Sequence, residues 1–324
     1  MMTHYLETKK AYPDCLLFYR LGDFYEMFFE DARLASKELE LTLTGKECGL
    51  EERAPMCGVP FHAADSYINR LVKRGYKVAV AEQMEDPKLA KGLVKREVIR
   101  VVTPGTVTAA GALEEEKNNY LAAVSEDNGR YGLAFADIST GSFFVTEADG
   151  RKELGDILAE FRPAELLKRK NLSLDGCLRH EEELAISELP DSAFLRDNAI
   201  SLLTEHFRAA TTEALGLSDY PLGTLAAGAA LRYLYDTQKN SCELITELKA
   251  YRGNAYLFID AASRRNLELT ETLRDKNKHG SLLWVLDRTK TAMGARFLRN
   301  LLEKPLLGIP EIEARQDAIQ EFLS

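Results

Sequence analysis

The aromatic segment at residues 16–29 constrains the fold more than any other part of this chain. A buried strand is usually either continuously apolar or regularly alternating, and this segment is neither. Residues 16–19 predict a strand, and Gly22-Asp23 predicts a turn. If the chain stays extended after that turn, Phe24 and Glu26 lie two residues apart and point to the same face.

A phenyl ring beside a carboxylate permits two interpretations. An exposed ring can enter a base step and kink a DNA duplex. The neighbouring carboxylate would repel backbone phosphates but could bond to the edge of an unstacked base. Alternatively, Phe24 belongs to the core and Glu26 is a solvated surface acid. From the pattern alone, that structural alternative is favoured.

Length and composition indicate a soluble protein of several domains. The chain has 324 residues, of which 45% are hydrophobic and 29% charged. No apolar run approaches the roughly 18 residues of a membrane span, and the N-terminus lacks a signal core. The 5 cysteines are scattered without metal-binding spacing, which suits a reducing compartment. We therefore expect a cytoplasmic protein without a membrane partner.

The net charge of −9 argues against a protein that simply coats DNA. It does not exclude DNA binding through a local patch. Residues 88–100 carry five basic side chains against a single acid, Glu97, and are a candidate phosphate-binding patch. A solvated loop or strand edge explains the same segment equally well.

Patterning along the chain predicts an α/β protein with several domains. Residues 1–106 predict a small mixed α/β domain, with a loop at 42–52 and a helix capped by Asp65. Residues 107–117 predict a linker. In residues 118–245, three antiparallel strands, a helix and another strand follow the order of a ribonuclease-H-like domain. Two long helices are then expected at 198–215 and 222–238. Residues 246–324 are helical and charged, with helices expected to begin near Ile259, Ser281, Thr291 and Glu311.

Several motifs resemble those of the MutS family of DNA mismatch repair proteins. The resemblance begins with Arg20-Leu-Gly-Asp-Phe-Tyr-Glu-Met-Phe28 and continues with Pro55-Met-Cys-Gly-Val-Pro-Phe-His-Ala63. Further matches are Arg100-Val-Val-Thr-Pro-Gly-Thr106, Ala136-Asp-Ile-Ser-Thr-Gly141 and Asp260-Ala-Ala-Ser-Arg-Arg-Asn-Leu-Glu-Leu-Thr270. They occur in the family's order and extend over the whole chain.

The resemblance implies a mismatch-binding domain, a connector domain and the beginning of a helical core and lever region. It implies that Phe24 wedges at mispaired or unpaired bases and that Glu26 bonds to the mispaired base. It also places basic contacts to the DNA backbone at Lys46 and Arg96.

The resemblance further implies partners and cofactors. The DNA would be a duplex with mismatches or small insertion/deletion loops, and a MutL-type protein would act downstream. A full-length family member is a homodimeric ATPase that uses ATP and Mg²⁺ and lies in the bacterial cytoplasm near the nucleoid. This chain has no Gly-x-x-x-x-Gly-Lys-Ser/Thr phosphate loop, so we expect a fragment without ATPase activity, cofactor or metal.

Two other functions stay open at this point. The chain could be a protein-interaction scaffold, a reading that overlaps with the connector's expected role. It could also be a metal-dependent nuclease with Asp137 and Glu165 as ligands, although that chemistry needs several convergent carboxylates.

Overall fold

The computed structural model of the chain contains two six-stranded sheets followed by a region of helices. It describes residues 1–48, 53–85, 94–107, 117–177, 184–239, 241–251, 253, 256–257 and 259–323. This arrangement confirms the predicted multi-domain α/β class. Most of the predicted linker, 107–117, lies outside the described residues, as do Lys88 and Lys91 of the basic segment.

The first sheet has the strand order β3-β4-β2-β1-β5-β6. Its strands β1 and β5 are parallel, and the other neighbours are antiparallel. The elements are α1 (Met2–Ala11), β1 (Cys15–Leu21), β2 (Phe24–Phe28), α2 (Phe29–Leu39), β3 (Thr44–Lys46), β4 (Ala54–Pro60), α3 (Ala64–Lys73), β5 (Lys77–Gln83) and β6 (Arg96–Val102).

Helices cover the two faces of this sheet unequally. The apolar sides of α2 and α3 pack on one face over Phe18 and Met27. The single helix α1 packs on the other face, where its Tyr5 ring meets Phe28 edge-on at 5.0 Å. One short helix cannot cover six strands, so this second face stays open at one end.

Two local predictions in this domain were wrong. The segment expected to be a loop contains β3, which pairs with β4 as an edge strand. We also expected Asp65 to cap α3 through its side chain. The helix follows a 3₁₀ turn, so its cap residue Ala63 is already helical and no extended cap position exists. Asp65 instead pairs with Arg100 at 2.6 Å.

The second sheet has the order β11-β10-β7-β8-β9-β12. Strands β7, β8 and β9 are antiparallel, and β10 and β11 run parallel to β7. This is the predicted ribonuclease-H-like order. The elements are β7 (Leu121–Asp127), β8 (Arg130–Asp137), β9 (Ser142–Asp149), α4 (Arg151–Phe161), β10 (Glu165–Arg169), β11 (Ala185–Leu189), α5 (Arg196–Phe207), α6 (Pro221–Gln238) and β12 (Lys249–Ala250).

Helix α6 lies directly on the second sheet, and small residues allow the approach. A Cβ atom on Gly132 of β8 would collide with the backbone of Leu222, so only glycine fits there. The preceding helix, α5, is shorter than the predicted 198–215. It ends at Phe207 because Arg208 adopts a left-handed conformation with φ 51°.

The last region contains four helices in its described part, and each begins close to its predicted start. They are α7 (Ala261–Asn266), α8 (Leu282–Leu286), α9 (Ala292–Glu303) and α10 (Ile309–Leu323). The side chains of Asp260, Ser281 and Thr291 cap the first three. Within the described residues, no helix combines the length and apolarity needed to cross a membrane.

Candidate nucleic-acid interface

The uncovered end of the first sheet presents Phe24 and Glu26 on one face, and we call it the open face. Because β2 stays extended, alternate residues separate: Tyr25 and Met27 are buried towards α2 and α3, while Phe24 and Glu26 point the other way. Phe24 is 46% exposed, whereas Phe28 on the same face is buried beneath α1. The ring is therefore available to a ligand.

A tight hairpin fixes the position of Phe24. Leu21 and Phe24 pair across the two-residue turn, and Gly22 has φ +60°, a conformation that glycine adopts without strain. The amide of Phe61 donates to the Asp23 carbonyl at 2.9 Å, which joins the turn to the end of β4.

A polar cluster supports the hairpin from the opposite face. The Arg20 guanidinium lies 4.0 Å from the Phe61 ring centroid and pairs with Glu82 at 3.5 Å. The Tyr25 hydroxyl donates to the same Glu82 carboxylate at 2.6 Å. Burial, together with that hydrogen bond, raises the pKa of Tyr25 to about 12, so the hydroxyl stays protonated and keeps donating.

Lys46 reaches across from the edge strand β3 to Glu26. Its Nζ atom lies 2.6 Å from Oε2 of the carboxylate. The Glu26 side chain is 15% exposed. Gly58 lies opposite Glu26 on β4, where an added Cβ would be 3.5 Å from the Glu26 Cγ atom. The structure thus brings together Phe24, Glu26 and Lys46, and it neutralises the acid before any ligand binds.

Arg96, the other candidate for a backbone contact, is at the same end of the sheet but only 7% exposed. Its Nε atom donates to the Arg20 carbonyl and its Nη1 atom to the Val94 carbonyl, both at 2.7 Å. Its guanidinium carbon also lies 5.4 Å from the Tyr19 ring centroid. In this structure Arg96 braces β1, and its contact with DNA stays a prediction.

The two carboxylates of the nuclease alternative have structural partners. The Asp137 carboxylate accepts hydrogen bonds from the backbone amides of Asn119 and Ser139 at 3.1 and 2.9 Å, as in a turn. Glu165 is wholly buried and accepts from side chains and backbone. In the described part of the chain, no group of three or more His, Cys, Asp or Glu side chains is arranged to hold a metal ion.

Sequence reasoning missed the support beneath the open face. Glu82 and Phe61 lie far from Arg20 in the sequence, and their convergence depends on the order of the strands. One signal was available. Arg20 and Tyr25 stand at equal distances from the Gly22-Asp23 turn, which predicts that they pair across a hairpin.

Comparison with known proteins matches all three regions. Family models described as MutS domain I, MutS domain II and MutS domain III match residues 1–111, 119–249 and 262–324. Relatives named DNA mismatch repair protein MutS occur in Lachnoclostridium phytofermentans, Ruminiclostridium cellulolyticum and Acetivibrio thermocellus, at 53%, 51% and 50% identity. Each alignment covers 99% of this chain but 35%, 37% and 38% of the relative, respectively.

In sequence order, the two sheets and the helical region thus correspond to domains of one class, the DNA mismatch repair proteins. The chain belongs to the MutS family. It spans a little over a third of the length of the curated relatives it matches.

Proposed function

We propose that this chain recognises mispaired or unpaired bases in duplex DNA through its open face. Phe24 enters the base stack at the lesion and kinks the duplex, and Glu26 bonds to the displaced base. The observation that carries this proposal is the 46% exposure of Phe24 on the same face as a carboxylate. A ring serving only the core would be buried, as Phe28 is.

Selectivity follows from the energy of deforming DNA. Separating a base step costs a few kcal/mol, and the cost is lower where pairing is already broken. The ring therefore enters a mismatch more easily than a perfect duplex, without recognising a particular sequence. Among the described residues of the open face, the exposed Phe24 ring and the paired Glu26 and Lys46 side chains suit this mode of selection.

Glu26 adds discrimination through its charge and its hydrogen-bonding capacity. A carboxylate accepts several hydrogen bonds, so the oxygens of Glu26 can engage a base edge once that base leaves the stack. On a perfect duplex no base is displaced, and the acid only repels the phosphates. Lys46 moderates this repulsion while it stays paired with Glu26.

The activities of a protein of the relatives' length are part of the same proposal. We infer a homodimer in the bacterial cytoplasm that hydrolyses ATP with Mg²⁺ and passes the signal to a MutL-type partner. This chain would supply recognition rather than hydrolysis, since its sequence has no phosphate loop. The substrates would be mismatches and small insertion/deletion loops.

The test compares binding to mismatched and perfect duplexes. The chain is assayed alone and as a chimera in which it replaces the matching part of the Lachnoclostridium phytofermentans relative. We expect Phe24→Ala to abolish the preference for a mismatch. Ile186→Ala is the control, because Ile186 is similarly exposed, at 43%, but lies on β11 of the second sheet, away from the hairpin.

Retention of the mismatch preference by Phe24→Ala would contradict the proposal. Absence of any DNA binding by the unsubstituted chimera, combined with capture of a protein partner, would favour the interaction scaffold instead.

A further inference from the structure

A buried carboxylate joins the first domain to the second. Glu165, at the start of β10, has no exposed surface. Its Oε2 atom accepts from the Thr103 hydroxyl and, at 3.1 Å, from the Gly105 amide. Its Oε1 atom accepts from the hydroxyls of Ser187 and Tyr233 at 2.5 and 2.7 Å. We call Glu165 together with Thr103 and Gly105, its two donors from the first domain, the Glu165 junction.

The two oxygens of Glu165 serve different domains. Thr103 and Gly105 belong to the turn that directly follows β6, the edge strand of the first sheet. Ser187 and Tyr233 belong to β11 and α6 of the second domain, which also contains Glu165 itself. Oε2 therefore bonds between domains, and Oε1 bonds within one. A buried carboxylate is stable only when donors satisfy it, and here both domains contribute donors.

The turn that meets Glu165 is rigid and closely fitted. Thr103 and Thr106 cap each other, and Pro104 fixes the backbone between them. A Cβ atom on Gly105 would lie 2.9 Å from the Glu165 Cβ and 2.8 Å from a Leu121 methyl carbon. The fit therefore excludes any larger residue at Gly105 unless the two domains shift apart.

Three further contacts cross the same boundary. The Gln238 amide group donates to the Val101 carbonyl at 3.0 Å, and the Asn119 amide group donates to the Pro104 carbonyl at 3.0 Å. Lys77 Nζ lies 5.7 Å from the Tyr233 ring centroid. These contacts surround the Glu165 junction and involve two strands of the first sheet, β5 and β6.

We propose that Glu165 is a positioning residue that sets the angle at which the first domain presents Phe24 to DNA. This inference rests on the proposed function. Strand β6 begins at Arg96, beside the open face, and ends at the turn that Glu165 holds. Hydrogen-bonded strands connect β6 through β5 and β1 to β2. A rotation of the sheet at the junction therefore changes the orientation of the Phe24 ring.

The length of β6 makes this angle important. Its seven residues, at about 3.3 Å each, span roughly 20 Å. A rotation of about 5° at the junction then moves the open face by about 2 Å, which is more than half of the roughly 3.4 Å spacing of stacked bases. If the junction were loose, the position of the Phe24 ring would vary by more than the tolerance of a single base step.

The test separates the two oxygens of Glu165. Thr103→Val removes a donor from the interdomain oxygen with little change of shape, and Gly105→Ala forces the same boundary apart. Ser187→Ala is the matched control, since it removes a hydroxyl donor from the oxygen that bonds within the second domain. Nitroxide labels on cysteines introduced at the exposed Lys37 and Lys152 report the interdomain distance by double electron–electron resonance, with Cys48 replaced by serine.

We expect one narrow distance distribution for the unsubstituted chain and for Ser187→Ala. Thr103→Val and Gly105→Ala should broaden or shift it. If both interdomain variants keep the narrow distribution, the junction does not set the angle and the proposal is overturned. The two variants differ in mechanism, so a failure of one to fold leaves the other to decide.

The DNA-binding assay then tests whether the interdomain angle affects mismatch recognition. In the chimera, Thr103→Val should lower the ratio of mismatch to perfect-duplex affinity at least threefold, while Ser187→Ala leaves it unchanged. A broadened distance distribution with an unchanged ratio would overturn the positioning role. Failure of the proposed function itself is distinguishable, because it would appear as an unchanged ratio in Phe24→Ala.

Discussion

The Glu26–Lys46 pair gives the sharpest prediction, because one lysine cannot fully serve a carboxylate and a phosphate at the same time. At 2.6 Å from Glu26, Lys46 is occupied in the free protein. When Glu26 turns to a displaced base, we expect Lys46 to be released to the DNA backbone. Single Glu26→Ala and Lys46→Ala variants and the double variant, made in the chimera, test this exchange.

Salt dependence measures the exchange directly. Each phosphate that a protein neutralises steepens the plot of log affinity against log salt by about 0.9. We therefore expect unsubstituted protein to show a slope about 0.9 steeper on a mismatch than on a perfect duplex. Glu26→Ala should steepen the perfect-duplex slope by a similar amount, because it frees Lys46 permanently.

Charge also sets the expected change in affinity for a perfect duplex. A unit charge about 7 Å from a phosphate in water contributes about 0.6 kcal/mol, a factor of about three. Glu26→Ala should raise perfect-duplex affinity by at least this factor. Lys46→Ala should lower it about threefold without changing the slope, and the double variant should lie near the unsubstituted protein. Part-exposed pairs couple by about 0.2–1 kcal/mol, within reach of a double-mutant cycle.

Fluorescence anisotropy at about 50, 100 and 200 mM salt, the range over which phosphate contacts alter affinity most, supplies all these values. The reasoning is refuted if Lys46→Ala alone flattens the perfect-duplex slope by about 0.9 while Glu26→Ala leaves perfect-duplex affinity unchanged. Lys46 would then bind phosphate independently, and Glu26 would not repel DNA.

Three further predictions concern the framework. Gly22→Ala should destabilise the chain by about 1–2 kcal/mol in urea unfolding, because Gly22 has φ +60°; an unchanged midpoint would show that the hairpin relaxes. Asp137→Asn should lower the free energy of unfolding by about 1–3 kcal/mol, because its amide group must face a backbone N–H donor. Neither the unsubstituted chain nor the Asp137→Asn variant should cleave DNA with Mg²⁺. If the unsubstituted chain cleaves DNA and Asp137→Asn does not, the nuclease alternative is restored. Tyr25 has its pKa raised from 10.0 to about 12, so its stabilising contribution is complete below pH 10 and is lost as pH rises to about 12. Tyr25→Phe should therefore lose less stability over that range in pH-dependent unfolding, and an equal loss would contradict the assignment.

Sequence patterns predicted the features that depend on local chemistry. The Gly22-Asp23 turn and the succession of strands and helix in the second domain follow from residue types and spacing. So does the shared face of Phe24 and Glu26, on the condition that β2 is extended. The helix starts near Ile259 and Ser281 were likewise predicted, and in the structure the side chains of Asp260 and Ser281 cap those helices. These signals act within a few residues, so a single sequence contains them.

Features that depend on distant parts of the chain were not predictable in this way. Nothing local indicates that Lys46 pairs with Glu26, since β3 must first add to β4 at the sheet edge. An arginine such as Arg96 is usually exposed at the surface. Here its side chain instead bonds to the carbonyl of Arg20 and lies against the ring of Tyr19, within the domain. Glu165 appeared only as a possible metal ligand, because its donors come from two domains.

The negative charge of the chain is compatible with DNA recognition once affinity and discrimination are considered separately. A surface rich in free lysine and arginine binds every duplex, and its affinity is dominated by phosphates that carry no information about pairing. The open face instead offers an apolar ring and an acid whose charge is already matched by Lys46. Under the proposed function, such a surface would gain little from intact DNA, and its contacts with bases would form only where the duplex opens at low cost. Discrimination therefore increases as phosphate binding by this domain decreases, and adding positive charge beside Phe24 should weaken selectivity even as it strengthens binding.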